Sequence, residues 1–150
     1  MAGLHTVTVD ELRQVLTPVE AEAVAEAVGA SAVGGWMGSL LLRACDRVVG
    51  ALNGCPHNAR ISTGLCRVPE ECVHTVLVLA RHAVLGAVPA LSEVLEGSTR
   101  AAEYQAALAD LRAMASCELR PGCVVPEADL AEGASGCVGL VALDDVDWMV

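Results

Sequence analysis

The chain has no phenylalanine and no lysine, a single tyrosine and two tryptophans, and its last thirty residues contain no base. Each shortage excludes something. Without Phe, an apolar core has to be built from Leu, Val, Ala and Met, and helices carrying such side chains can approach closely. The nine bases are all Arg and face 19 acids, for a net charge of −10. A chain of this balance lacks the clustered Lys and Arg that neutralise a phosphate backbone. Long apolar runs are also missing. The longest charge-free stretch, Ala27 to Leu42, is broken by Gly29, Gly34, Gly35 and Gly38 and falls short of the roughly 20 residues that span a bilayer. No basic segment precedes it, as a signal peptide requires, so neither a membrane span nor a leader is expected. The signatures G-x-S-x-G, H-E-x-x-H and the P-loop are absent, and no catalytic residue is assigned.

What is present is helical periodicity. Val73, Val76, Leu77, Ala80, Ala83, Val84 and Ala87 recur at the spacing of one helix face, with Val78, Leu79 and Leu85 on the other flanks. Pro69 suits a first helical position, Glu70 and Glu71 suit the positive end of the helix dipole, and Gly86 and Pro89 supply a stop. A helix apolar on several sides is buried on several sides, so this one is read as central. Thr8-Val-Asp-Glu11 is a capping box, opening a short helix near Val9 to Leu16. Thr17 and Pro18 open a second, to Val28, with Val19, Ala23, Ala27 and also Val24 inward and Glu20, Glu22 and Glu26 toward water. Ser31 is read as the cap of a third helix that Asn53-Gly54 ends in a left-handed turn. A fourth long helix spans about Thr99 to Ala115, with Tyr104, Leu108, Leu111 and Ala115 as its stripe. After Pro121 the helical period is lost, and Cys137 to Leu143 reads as a strand or extended arm. The expected architecture is mainly α: a bundle of four to five helices over 1–120 and an acidic, extended, partly β arm over 121–150.

Charge follows that division. Residues 1–30 carry five acids against Arg13, residues 121–150 carry six acids and no base, and 31–120 hold eight of each sign. With 54% apolar residues and a mean hydropathy of +0.52, surplus apolar surface is expected to be covered by other subunits. The anchors expected for such an interface are Gly34, Gly35, Trp36, Met37, Val138, Leu140 and Trp148, since Trp and Met are frequent contact residues.

Seven cysteines invite a metal or thiol chemistry. None forms C-x-x-C. The pairs Cys55-Pro-His57 and Cys72-Val-His74 have the wrong spacing for a zinc clip, and in a helix Cys72 and His74 point about 200° apart. No metal or cofactor is expected. The thiols are expected to be reduced, small and buried.

The order of pieces resembles a known family. A short capped helix opens on Asp10-Glu11-Leu12, a long helix leads into a loop with Pro56, and Val68-Pro69-Glu70-Glu71-Cys72 opens an apolar helix containing Ala80-Arg81. Then comes Tyr104-Gln-Ala-Ala-Leu108-Ala-Asp-Leu111-Arg112-Ala-Met-Ala115. This resembles the head–tail connector (head-completion, or neck adaptor) proteins of tailed bacteriophages, above all the connector group of Mu-like phages. The resemblance covers about residues 8–120, and two short segments carry it, Val68-Pro69 and Tyr104 to Ala115. Ser116-Cys117 stands where that group commonly has Gly. The resemblance implies a virion structural protein of the neck, made in the host cytoplasm. It would form a ring, typically of twelve subunits, between portal and tail proteins, with DNA passing through unbound. In such a ring Glu20, Glu22 and Glu26 are expected to face the channel. Two other classes fit the sequence: a cytoplasmic helical regulatory or protein-binding module, and a thiol- or zinc-dependent enzyme.

Overall fold

The computed structural model describes residues 3–121 and 140–142. The elements are β1 (Leu4–Thr6), α1 (Val9–Gln14), α2 (Pro18–Val28), α3 (Val33–Gly54), β2 (Arg67–Pro69), α4 (Val73–Ala87), α5 (Ser92–Glu96), α6 (Ser98–Ala115), β3 (Leu119–Pro121) and β4 (Leu140–Ala142). Short 3-10 turns at Glu70–Cys72 and Pro89–Leu91 lead into α4 and α5. The protein is mainly α, as expected.

α4 lies at the centre, packed against α3 and α6 and touched by α1, α2 and α5. Val78, Leu79 and Ala80 are consecutive, about 100° apart around the axis, and all buried, together with Val76, Val84 and Leu85. That burial on several sides follows from its composition. Gly86 faces α5: a Cβ there would sit 3.4 Å from Leu95 Cδ1, close to ordinary contact. The surplus of apolar residues goes into this core. Among the described residues, only Val19 and Leu65 are large hydrophobic side chains in the exposed class. The expected uncovered apolar surface is therefore not seen there, because small side chains on α3, α4 and α6 pack against one another within the subunit. Among the described residues no single helix is long and apolar enough to cross a membrane.

Both N-terminal capping boxes form. Thr8 and Glu11 serve each other's backbone at α1, as do Thr17 and Glu20 at α2. Gly29 ends α2 with φ +97°, a conformation side chains rarely adopt. Other boundaries differ from expectation. α3 starts from Ala32 with no side-chain cap, so Ser31 is not the cap. Its end is not left-handed: Gly54 is still helical and Cys55 follows at φ −79°. Side chains end it instead, with Asn58 Nδ2 donating to Leu52 O at 2.9 Å. Pro69 is not the first helical residue. It closes β2, which pairs antiparallel with β1 in the register Leu4↔Pro69 and Thr6↔Arg67. A proline suits such an edge because it has no N–H to leave unpaired.

The largest correction concerns the thiols. Cys45 is bonded to Cys66 and Cys55 to Cys117, each with Cα atoms 5.2 Å apart. They are not four reduced hydrophobes. Sequence spacing hides this, because the fold brings the residue before β2 back against Cys45 inside α3 and the chain after α6 back to Cys55 at the end of α3. Cys72 is the free cysteine of the described set, fully buried. Part of the C-terminal segment is a strand, as expected for 137–143. Its β4 pairs antiparallel with β3 of the same chain, in the register Leu119↔Ala142 and Pro121↔Leu140.

Candidate functional site

The residues proposed as interface anchors take different places. Met37 is 2% exposed and belongs to the core, so it is no anchor. Trp36 is half-buried against that core. Gly34 and Gly38 face α1 of the same chain. A Cβ on Gly34 would lie 3.4 Å from the Arg13 guanidinium, and one on Gly38 would lie 3.7 Å from Val9 Cγ2. Gly35 alone of the three faces open space within 4 Å. Leu140 lies in β4, whose ladder is made within the subunit. Val138 and Trp148 lie outside the described residues.

The acids of α2 also divide. Glu22 and Glu26 are exposed. Glu20 is 4% exposed, which corrects its placement toward water and toward a channel. The capping box turns its carboxylate back to accept from Thr17 N at 2.8 Å, and Arg100 of α6 donates to it at 2.9 and 3.2 Å. This ion pair satisfies Glu20 on the inner side of α2. The inward stripe is Glu20, Val24 and, half-buried, Val28, while Val19 and Ala27 are exposed. Of the residues expected inward, Val24 is buried and Ala23 is half-buried against the core, so the correction falls on Val19 and Ala27. A test follows. Glu22→Lys/Glu26→Lys should leave the melting temperature nearly unchanged, since exposed charges contribute little. Arg100→Ala should lower stability by about 3 kcal/mol, because it strands a buried carboxylate. Denaturant unfolding of the two variants checks both.

The cysteine–histidine pairs do not assemble. Cys55 is consumed in its disulfide. The Cys72 thiol is pushed up to about 12 by burial, then by the charges of Glu71 and Asp110, so it stays protonated and is no nucleophile at neutral pH. Among the described residues no group of three His, Cys, Asp or Glu is placed to hold a metal ion.

Two polar arrangements escaped the sequence reading. The first is a seam between α4 and α6. The buried Arg81 donates to Glu103, and His82 stacks on Tyr104 with ring centroids 3.6 Å apart and planes 6° from parallel. Burial, and then the charge of Arg81, hold His82 below its ordinary value of 6.5. The unfolded chain therefore takes up that proton first. Stability is full above about 6.5 and is lost as pH falls toward the lowered folded value. The melting temperature should drop across that window, and His82→Gln should remove this part of the drop.

The second is a groove of about 170 Å³ lined by Leu4, Arg60, Ile61, Ser62, Leu65 and Arg67. Most of its lining comes from the connection between α3 and β2, which is fastened at many points. Asn53 brackets Ile61, donating to its carbonyl and accepting from its N–H, both at 2.9 Å. Asp46 accepts from Gly64 N at 2.8 Å. Asn58 holds Leu52 O, and the buried Arg120 of β3 donates to Asn58 Oδ1 at 2.7 Å and to His57 O. The two disulfides pin both ends, at Cys55 and Cys66. The connection is thus held in one shape, which is what a preformed binding surface requires. Among the described residues no carboxylate lies within 4.0 Å of Arg60 or Arg67. The sequence signal was there in the placing of Arg60, Ser62 and Arg67 within eight residues, but only the fold turns them to a common groove with Leu4. The chain matches no protein-family model, no curated protein and no solved structure.

Proposed function

We propose that this chain is a structural assembly subunit and, in its specific form, a head–tail connector of a tailed phage, joining a portal to a tail as a ring around the DNA path. The observation that supports it is where the two segments carrying the resemblance fall. Val68-Pro69 ends β2 and leads through a 3-10 turn into α4, and Tyr104 to Ala115 is the body of α6 packed on α4. They are thus the joints of one core, the part of the chain where a connector-like pattern would bear on packing. The exposed side of α2 supplies outward Val19, Glu22 and Glu26, a surface for a neighbour or for the channel. Glu22 and Glu26 there would repel passing phosphates. The disulfides accord with a particle that leaves the reducing cytoplasm, since virion surfaces are among the places where such bonds persist.

Native mass spectrometry of the purified chain, alone and mixed with portal protein, tests the proposal. A closed ring is the expected result. A monomer at all concentrations that also fails to join portal or tail proteins overturns it. In the ring, Glu22→Lys/Glu26→Lys should add salt-sensitive DNA binding. Its absence would place those carboxylates on the outer wall.

A further inference from the structure

We propose that the groove of Arg60 and Arg67 is a docking site for an acidic, partly apolar strand, and that its occupant is the segment Asp144-Asp-Val-Asp-Trp-Met149 of the same chain. The groove offers two guanidinium groups, the Ser62 hydroxyl and the apolar surface of Leu4, Ile61 and Leu65. Leu65 is 56% exposed, an unusual setting for a large hydrophobic side chain in this fold. The segment offers the complement: three carboxylates interleaved with Val146, Trp148 and Met149. An extended strand turns Asp145 and Asp147 to one side and Val146 and Trp148 to the other, so both kinds of lining are engaged at once. Arginine forks and carboxylates make strong paired hydrogen bonds.

The β3–β4 ladder favours the same chain as donor. It fixes Ala142 opposite Leu119, next to Cys117, which is bonded to Cys55 at the start of the groove's own loop. Arg120, the neighbouring residue of β3, holds Asn58 and the His57 carbonyl in that loop. The described chain thus reaches Ala142 near the start of that loop, and six extended residues reach about 20 Å. A tethered strand has a high effective concentration, so modest contacts suffice. The inference does not depend on the connector reading, because it concerns the single subunit.

The two tryptophans make a test. In the full chain labelled with fluorotryptophan, Trp36 serves as internal control and Trp148 as reporter by 19F NMR. The expected result is a Trp148 resonance displaced from that of a free peptide of residues 143–150. Arg60→Glu/Arg67→Glu should shift it to the peptide value and leave Trp36 in place, and high salt should weaken the displacement. Asp144→Arg/Asp145→Arg/Asp147→Arg added to that variant should restore it. Three outcomes overturn the proposal: a peptide-like Trp148 signal in the parent chain, a displaced signal indifferent to the arginine substitutions, or a displacement that appears only as the particle mass doubles with concentration. The last would make the groove an interface between copies. Should the arginine variant fail to fold, the triple Asp→Asn chain carries the same prediction without touching the folded core.

Discussion

Val76→Asp is expected to yield no folded protein. Val76 is 0% exposed in the first turn of α4, the helix on which α3 and α6 both pack. A carboxylate there has no water and no partner, and an uncompensated buried charge costs several kcal/mol against a total stability of about 5–15 kcal/mol. The adjacent Leu77, which its spacing puts on the same stripe, is only half-buried and packs at the margin of the core. Leu77→Asp can turn its charge toward water and should fold with a lowered melting temperature. Circular dichroism of the soluble fraction separates the two. A cooperative, near-parental transition in Val76→Asp would show that α4 is not the central element.

Reduction of the disulfides should produce the second large effect. The Cys55–Cys117 bond joins residues 62 apart, and Cys45–Cys66 joins residues 21 apart. Loop-closure entropy scales with the logarithm of that separation, which gives about 4 kcal/mol for the longer loop and about 3 for the shorter. For a chain of this size, loss of the longer bond should lower the melting temperature by roughly 10 °C. The check is thermal unfolding with and without dithiothreitol, beside Cys55→Ser/Cys117→Ser, with alkylation and mass spectrometry to count free thiols. The double variant should melt low with or without reductant as far as that bond is concerned, and should keep the smaller response of Cys45–Cys66. A parental chain whose cysteines all alkylate without reductant would remove the bonds from the account.

The sequence by itself determined what is local. The Thr8 and Thr17 capping boxes, the span of α6, the glycine end of α2 and the many-sided burial of α4 all depend on residues within a turn or two of each other, and period and cap chemistry express them directly. Tertiary structure decided the rest. Whether Glu20 faces water or Arg100 depends on a partner 80 residues away. Whether Met37 anchors a neighbour or fills the core depends on where α3 meets the bundle. The pairing of β1 with β2 joins segments more than sixty residues apart, too short to announce themselves as strands. The same holds for the cysteines and for the groove of Arg60, Arg67 and Leu4. Side chains distant in sequence share a site only once helices have packed, because chain entropy leaves no trace of which distant residues meet.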